Sequence, residues 1–183
     1  MKKSAKILFI IIVLLQVGYL FSLIISRNLL LKNGKRVILN CKPIHSRSLF
    51  LGGYIHLNYE ISVLPMSLLN PDQRHQDFNR GDTIYVGLEK REGENYWEPV
   101  AVSKDFFSLN IRFPSIIRGK VYYSYADRIV VTYGVETYYI PLEQGNRIPE
   151  NDKSDVQVEI ALTKNGYSAV RRIFINRVEV EFR

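Results

Sequence analysis

The sequence predicts a mainly β protein with one N-terminal transmembrane helix followed by an antiparallel β-sandwich or partly closed β-barrel. Three observations carry that prediction. Residues Ile7 to Ile25 form a nearly unbroken apolar run, interrupted only by the uncharged Gln16, Gly18, Tyr19 and Ser22. Beyond it, extended segments with period-two alternation follow one another between turn residues, the pattern of strands with one buried face. Cys41 is the only cysteine, so cohesion must come from packed aliphatic and aromatic side chains rather than from intrachain disulfides.

As a helix the apolar run reaches roughly 28 Å, close to the hydrocarbon thickness of a bilayer. Lys2, Lys3 and Lys6 stand directly before it, and it ends Leu23-Ile24-Ile25-Ser26-Arg27. A cleaved secretory signal has a shorter core and a small-residue cleavage site, so this bulky, basic end points to an uncleaved anchor. Residues 1–26 are read as cytoplasmic tail and transmembrane anchor, 27–35 as a juxtamembrane connector ending at the turn signal Asn33-Gly34, and 36–183 as the β-rich domain. The lysines crowd one flank, whereas Arg27, Lys32, Lys35 and Arg36 spread along the other, which favours an extracytoplasmic domain at the cell membrane.

Arg36 to Ile44 is the first strand, followed by a loop at His45 to Gly53. Tyr54 to Val63 then alternates, with Ile55, Leu57, Tyr59, Ile61 and Val63 on the apolar face. Pro65, Asn70, Pro71, Asp72 and Asn79 break the stretch from Leu64 to Arg80, which reads as a long loop with a short helix near Met66 to Leu69. Thr83 to Glu89 and Trp97 to Ser103 form a hairpin, as do Arg118 to Tyr125 and Arg128 to Tyr133 across Ala126-Asp127. Gly134 reads as a bulge within a strand that resumes at Glu136 to Ile140. Pro141 to Asp155 is a polar loop or short helix. Val156 to Leu162 and Tyr167 to Phe182 close the chain as a hairpin, for which Asn165-Gly166 predicts a two-residue type I′ turn.

The formal charge is +7. Setting aside Lys2, Lys3 and Lys6 leaves 22 basic against 18 acidic residues, and four more basic residues flank the apolar run, where anionic lipid is their natural partner. The domain itself is near neutral and lacks the concentrated basic stripe of a nucleic-acid footprint; no nucleic-acid partner is expected.

The segment Ser46 to Ser62, SRSLFLGGYIHLNYEIS, carries a spaced motif, Gly52-x-Tyr54-x-x-Leu57-x-Tyr59. It resembles the signature of the GDYXXLXY domain family, bacterial proteins of uncharacterised function with one N-terminal membrane helix. Pro43 and Arg47 to Phe50, Trp97-Glu98-Pro99-Val100, Arg118-Gly119-Lys120-Val121, and Tyr133 to Pro141 resemble further blocks of that family in the same order. Gly53 stands where the motif has aspartate, so any role of that carboxylate is absent. What remains, Gly52, Tyr54, Leu57 and Tyr59, suits strand entry and packing, with ligand or partner contact as the alternative. The resemblance implies a polytopic membrane protein as partner, because such proteins are commonly encoded together.

No convergent catalytic set emerges. A helix before a β-domain is also the layout of type I signal peptidases, but Leu64-Pro65-Met66-Ser67 has their letters in the wrong order, and neither Lys120 nor Lys164 is singled out as a base for a serine. Asp72, His75, Asp77 and Asp82 could bind a hard cation weakly, but Arg74 and Arg80 offset their field; no metal and no cofactor are expected. His45 and His56 lack ligand spacing, and the pairs Glu92/Glu94 and Glu179/Glu181 are explained by solvation. The most suggestive feature is aromatic: Tyr122, Tyr123, Tyr125, Tyr133, Tyr138 and Tyr139, with Arg118 nearby, are read either as cross-strand packing or as a binding surface. The functional expectation is a single-pass envelope protein whose β-domain is a non-catalytic interaction or accessory module. The alternatives are a membrane-tethered hydrolase or peptidase and a ligand-sensing domain.

Overall fold

The computed structural model describes residues 3–48, 52–69, 77–140 and 155–180, with side chains for 6–42, 55–69, 77–139 and 155–180. The loop read at Pro141 to Asp155, the start of the 64–80 loop's polar stretch at Asn70, and residues 49–51 fall wholly or mostly outside that description.

Helix α1 runs from Lys3 to Asn33. Its stretch from Lys6 to Asn33 has a mean hydropathy of 2.8, and its most apolar window is not buried against the rest of the chain. It is long and apolar enough to cross a membrane. The connector expected at 27–35 is instead the last two turns of this helix. Leu30 and Leu31 are half-buried, the Arg27 guanidinium donates to the Ser168 carbonyl at 3.2 Å, and the Gly34 N–H donates to Leu30 O at 2.8 Å. One residue, Gly34, separates the helix from the first strand. Leu29, Leu30 and Leu31 extend the apolar character of the helix past Arg27, and Leu30 and Leu31 are the residues that the domain half covers.

Among the described residues eleven strands follow: β1 (Lys35–Ser48), β2 (Gly52–Tyr59), β3 (Val63–Pro65), β4 (Thr83–Lys90), β5 (Trp97–Ser103), β6 (Ser115–Ser124), β7 (Arg128–Thr132), β8 (Thr137–Ile140), β9 (Val156–Leu162), β10 (Ser168–Ile175) and β11 (Val178–Val180). A short helix, α2 (Phe106–Asn110), lies between β5 and β6. Neighbouring strands are antiparallel throughout, in a six-stranded sheet ordered β11-β10-β9-β1-β2-β8 and a five-stranded sheet ordered β3-β7-β6-β4-β5. The sheets curl, one toward a half-barrel and one toward a nearly closed barrel. Both contribute to one core, in which Val37, Leu39, Ile55, Leu57, Val158 and Ile160 of the first meet Ile84, Val86, Leu88, Ile117, Ile129 and Val131 of the second. The antiparallel, mainly β fold class is therefore as the sequence predicts. Through Gly34 the anchor-like helix is wired directly to β1, an interior strand of the larger sheet.

The local differences from expectation occur where the chain changes sheets. The alternation from Tyr54 to Val63 does not run as one strand. β2 ends at Tyr59, a 3-10 turn spans Glu60–Ser62, and β3 resumes in the other sheet. The turn shifts the phase, so Leu64 is buried while Val63 is 49% exposed. Likewise Gly134, at φ +77°, is not a bulge in a continuous strand: it lies in the crossover from β7 in one sheet to β8 in the other. The 3-10 turn at Met66–Leu68 matches the expected short helix.

The β9–β10 turn also differs. Gly166 has φ +83°, Asn165 has no positive φ, and Gly166 N–H donates to Thr163 O at 3.1 Å. That is the three-residue hairpin loop in which a turn is followed by a left-handed glycine, not type I′. Two consecutive positive-φ residues occur instead at Asn176 (+50°) and Arg177 (+68°), between the paired Ile175 and Val178, as a type I′ turn requires.

Candidate functional site

The motif residues lie on β2. Leu57 and Tyr59 are buried in the shared core. Gly52 and Tyr54 pair through backbone with Ser48 and Ser46 of β1, and Tyr54 also pairs with Tyr139 of β8; the Tyr54 side chain is outside the described set. Tyr59 sits where β2 gives way to the crossover toward β3. Its hydroxyl donates to the Val135 carbonyl at 3.0 Å, inside the crossover between β7 and β8. Reciprocally, the Tyr133 hydroxyl donates to the Ile61 carbonyl at 2.5 Å, inside the first crossover. Leu57 N–H donates to Glu136 O at 2.6 Å, and Tyr133 N–H donates to the Glu136 carboxylate. Two tyrosines thus clasp the two segments that carry the chain between sheets. Each supplies a donor to a backbone carbonyl that has no ladder partner at a sheet change.

Burial pushes both hydroxyls well above the ordinary tyrosine value. For Tyr59, proximity to Cys41 and Glu136 adds to burial, and for Tyr133 proximity to Glu136 does so. Burial, with Glu60 and Asp155 near, pushes the Cys41 thiol from 9.0 up to about 12. Near neutral pH the Cys41 thiol and the two phenols keep their protons, and both described phenolic hydroxyls are committed to the backbone.

The tyrosine group read as packing or surface separates into four environments. Tyr133 is in the clasp. Tyr138 is half-buried against the core, whereas Tyr139, beside it on edge strand β8, is exposed. Arg118 does not join the others: it donates to the Tyr167 hydroxyl and to Thr83 Oγ1 at 3.5 Å, with its guanidinium 5.0 Å from the Tyr167 ring centre. Tyr122, Tyr123 and Tyr125 do form an exposed row. A register shift between Val121 and Tyr123 in the β6–β7 pairing leaves consecutive Tyr122 and Tyr123 both exposed, with their rings edge-to-face at 4.5 Å. Arg80 lies 5.0 Å from the Tyr122 ring and 5.7 Å from Tyr123, and Arg128 lies 5.4 Å from Tyr125. Arg80 was legible only as a charge opposing nearby carboxylates. No local pattern places it over tyrosines some forty positions later.

The described part of the acidic loop is organised by a lysine. Lys104 Nζ donates to Asp82 Oδ2 at 2.8 Å and to the Asp77 carbonyl at 2.7 Å, and lies 4.7 Å from the Phe78 ring centre. Hydrogen bonds from the Lys104 side chain and the Asn79 N–H hold the Asp82 carboxyl below its ordinary range. Among the described residues no His, Cys, Asp and Glu grouping suits a metal ion; Asp72 and His75 lie outside them.

A groove of about 800 Å³ lies between the C-terminal end of α1 and the domain. Leu29 and Leu30 form one wall, Phe106, Phe113 and Ile116 another, and Leu162 borders it from β9. The sequence reading passed over α2, although Asp105 is a readable N-cap: its carboxylate accepts from Phe107 N–H at 3.0 Å and Ser108 N–H at 3.2 Å. Phe113 is positioned by Gly87, where a Cβ would come within 2.7 Å of its ring. The groove is closed across the sheets by Lys35 Nζ donating to Pro114 O at 3.0 Å and by Arg118 N–H donating to Gly166 O at 2.8 Å. Ser115, Lys35 and Lys164 all line it. Ser115 Oγ has no hydrogen-bond partner among the described residues, so neither lysine is placed as its base.

No curated protein and no solved structure matches the chain. A family model described as GDYXXLXY protein matches residues 16–173, a span that takes in the end of the apolar helix, the motif strand, both clasping tyrosines and the groove. On that coverage the chain belongs to the GDYXXLXY family.

Proposed function

We propose that this protein is a single-pass, membrane-anchored envelope protein whose extracytoplasmic β-domain serves as a non-catalytic interaction module for a polytopic membrane partner. The observation that carries the reading is the state of α1: within Lys6–Asn33 its most apolar part is not buried against the rest of the chain, and the helix runs without a flexible linker into the domain. Bare apolar surface of that length needs lipid or another apolar partner. The direct connection to β1 holds the domain at a fixed height and orientation beside the bilayer, as suits a module that contacts a membrane-embedded neighbour. The Tyr122–Tyr123–Tyr125 row with Arg80 and Arg128 is the proposed contact, since tyrosine and arginine are enriched where interfaces concentrate their binding energy.

The hydrolase alternative gains a location, the groove holding Ser115 with Lys35 and Lys164, but lacks the nucleophile–base hydrogen bond that such chemistry requires. Cross-linking in intact cells followed by purification in mild detergent tests the proposal. The expected result is one multi-spanning protein recovered at stoichiometric yield, and much less of it from a chain with Tyr122→Ser, Tyr123→Ser and Tyr125→Ser together. Recovery of the free chain alone would overturn the partner assignment. A carbonate-extractable chain would overturn the anchor.

A further inference from the structure

The groove beside α1 has two properties that point to one kind of ligand. Its walls are apolar, and its volume of about 800 Å³ falls within the roughly 300–1,000 Å³ of small-molecule sites. Its charged lining is entirely basic, with Lys35 and Lys164 and no carboxylate. Lys35 Nζ donates to Pro114 O and lies 5.3 Å from the Trp97 ring centre, contacts that fix its charge at the groove.

Position supplies the rest. Ser26, the first residue beyond the apolar run, lines one end of the groove, and Asn33 and Lys35 line the other. Along the helix that interval is about 10 Å, enough to span the roughly 5–8 Å headgroup layer on one side of the hydrocarbon core and reach just past it. On α2, Phe107 and Ile111 are 74% and 88% exposed, next in sequence to the groove residues Phe106 and Asn110. Large apolar side chains displayed at that level suit an interfacial, half-lipid environment.

We propose that the groove binds a phospholipid with an anionic headgroup from the bilayer that α1 crosses. An acyl chain lies between Leu29–Leu30 and Phe106–Phe113, and the headgroup phosphate meets Lys35 and Lys164. The assignment rests on the membrane-anchor reading above, and the test separates the two.

The full-length chain is reconstituted in nanodiscs carrying photoactivatable acyl-chain phosphatidylglycerol or phosphatidylcholine, and labelled peptides are mapped by mass spectrometry. The expected result is labelling of residues 104–116 as well as of α1, with phosphatidylglycerol preferred, and Lys164→Ala reducing the preference about fivefold, as loss of one membrane-surface lysine predicts. Leu29→Trp, on an exposed helix position, fills the groove without touching the β core; it should abolish labelling of 104–116 while leaving α1 labelling and the unfolding midpoint unchanged. If α1 is labelled and 104–116 is not, the lipid site is wrong and the anchor stands. If neither is labelled, both fall. Equal labelling by the two lipids, indifferent to Lys164→Ala, would overturn the headgroup assignment.

Discussion

Tyr59 and Tyr133 on one side, and Tyr122, Tyr123 and Tyr125 on the other, are the same residue type put to opposite uses within one domain. The first pair is buried, with each hydroxyl bonded to a carbonyl in the opposite crossover. The second group is exposed, its rings in contact with one another and with arginines. Residue type therefore does not distinguish a structural tyrosine from one available to a partner. What distinguishes them is where the chain changes sheets. At a crossover the ladder stops, backbone carbonyls are left inside, and a long side chain with a terminal donor satisfies them. Along a strand whose outer face meets water there is no such demand, and the ring is free to contact other molecules.

The comparison breaks most visibly at the motif's centre. Leu57 is fully buried on β2 beneath the clasp, and Leu57→Ala should cost about 2–5 kcal/mol through lost transfer energy and the cavity left behind. Urea unfolding of the domain checks this. A loss near that of a surface substitution would mean that the motif leucine does not anchor the two sheets. Next in size, Tyr59→Phe and Tyr133→Phe keep the rings but strand the Val135 and Ile61 carbonyls, at about 1–3 kcal/mol each. Because both tyrosines meet the same pair of crossovers, the double variant should be non-additive by about 0.5–3 kcal/mol. Strict additivity in the double-mutant cycle would show two independent bonds rather than a clasp.

Alkaline pH sharpens the comparison without mutation. The Cys41, Tyr59 and Tyr133 acids all have folded pKa values above their ordinary ones, so the folded state holds these protons more tightly than the unfolded chain. The associated stability is fully present below the unfolded values, 9.0 for the thiol and 10.0 for the phenols. It is lost as pH rises through the folded ones. The urea midpoint should fall as pH rises above about 9, and Cys41→Ala should remove the earliest part of that fall. A flat profile up to pH 11 would contradict the burial assigned to all three.

How far these environments were readable beforehand follows from the same physics. The strands on either side of each hairpin were legible because alternation is local: Val156 to Leu162 and Thr83 to Glu89 needed only period-two patterning. The sheet changes were not, because a 3-10 turn at Glu60–Ser62 and a left-handed Gly134 preserve the look of alternation while moving the chain into the other sheet. Tyr133 could therefore be assigned neither to the core nor to the surface, since the long-range carbonyl it satisfies lies 72 positions away. The helical state of residues 27–33 escaped for a related reason: its support comes from β9 and β10, far along the chain. For the groove, Asp105 announced α2, but nothing local announced that α2 would lie opposite the end of α1.

The smallest expected effect lies in the exposed row, and it is the one that isolates function from folding. Tyr123 packs edge-to-face on Tyr122 and lies near Arg80. Both kinds of contact are weak at a solvent-exposed site, where an exposed cation–π pair contributes about 0.5–1 kcal/mol at most. The bulge that displays the pair is made by backbone register, which the substituted side chain does not determine. Tyr122→Ser and Tyr123→Ser should therefore each cost no more than about 1 kcal/mol, at or below the lower end of the loss expected at the clasp. If the row is a contact surface, the same substitutions lower the yield of cross-linked membrane partner severalfold at little cost in stability, a split that Tyr133→Phe cannot produce because its loss is one of folding. If instead Tyr123→Ser destabilises the domain as much as Tyr133→Phe does, exposure has been mistaken for availability, and the row belongs to the scaffold.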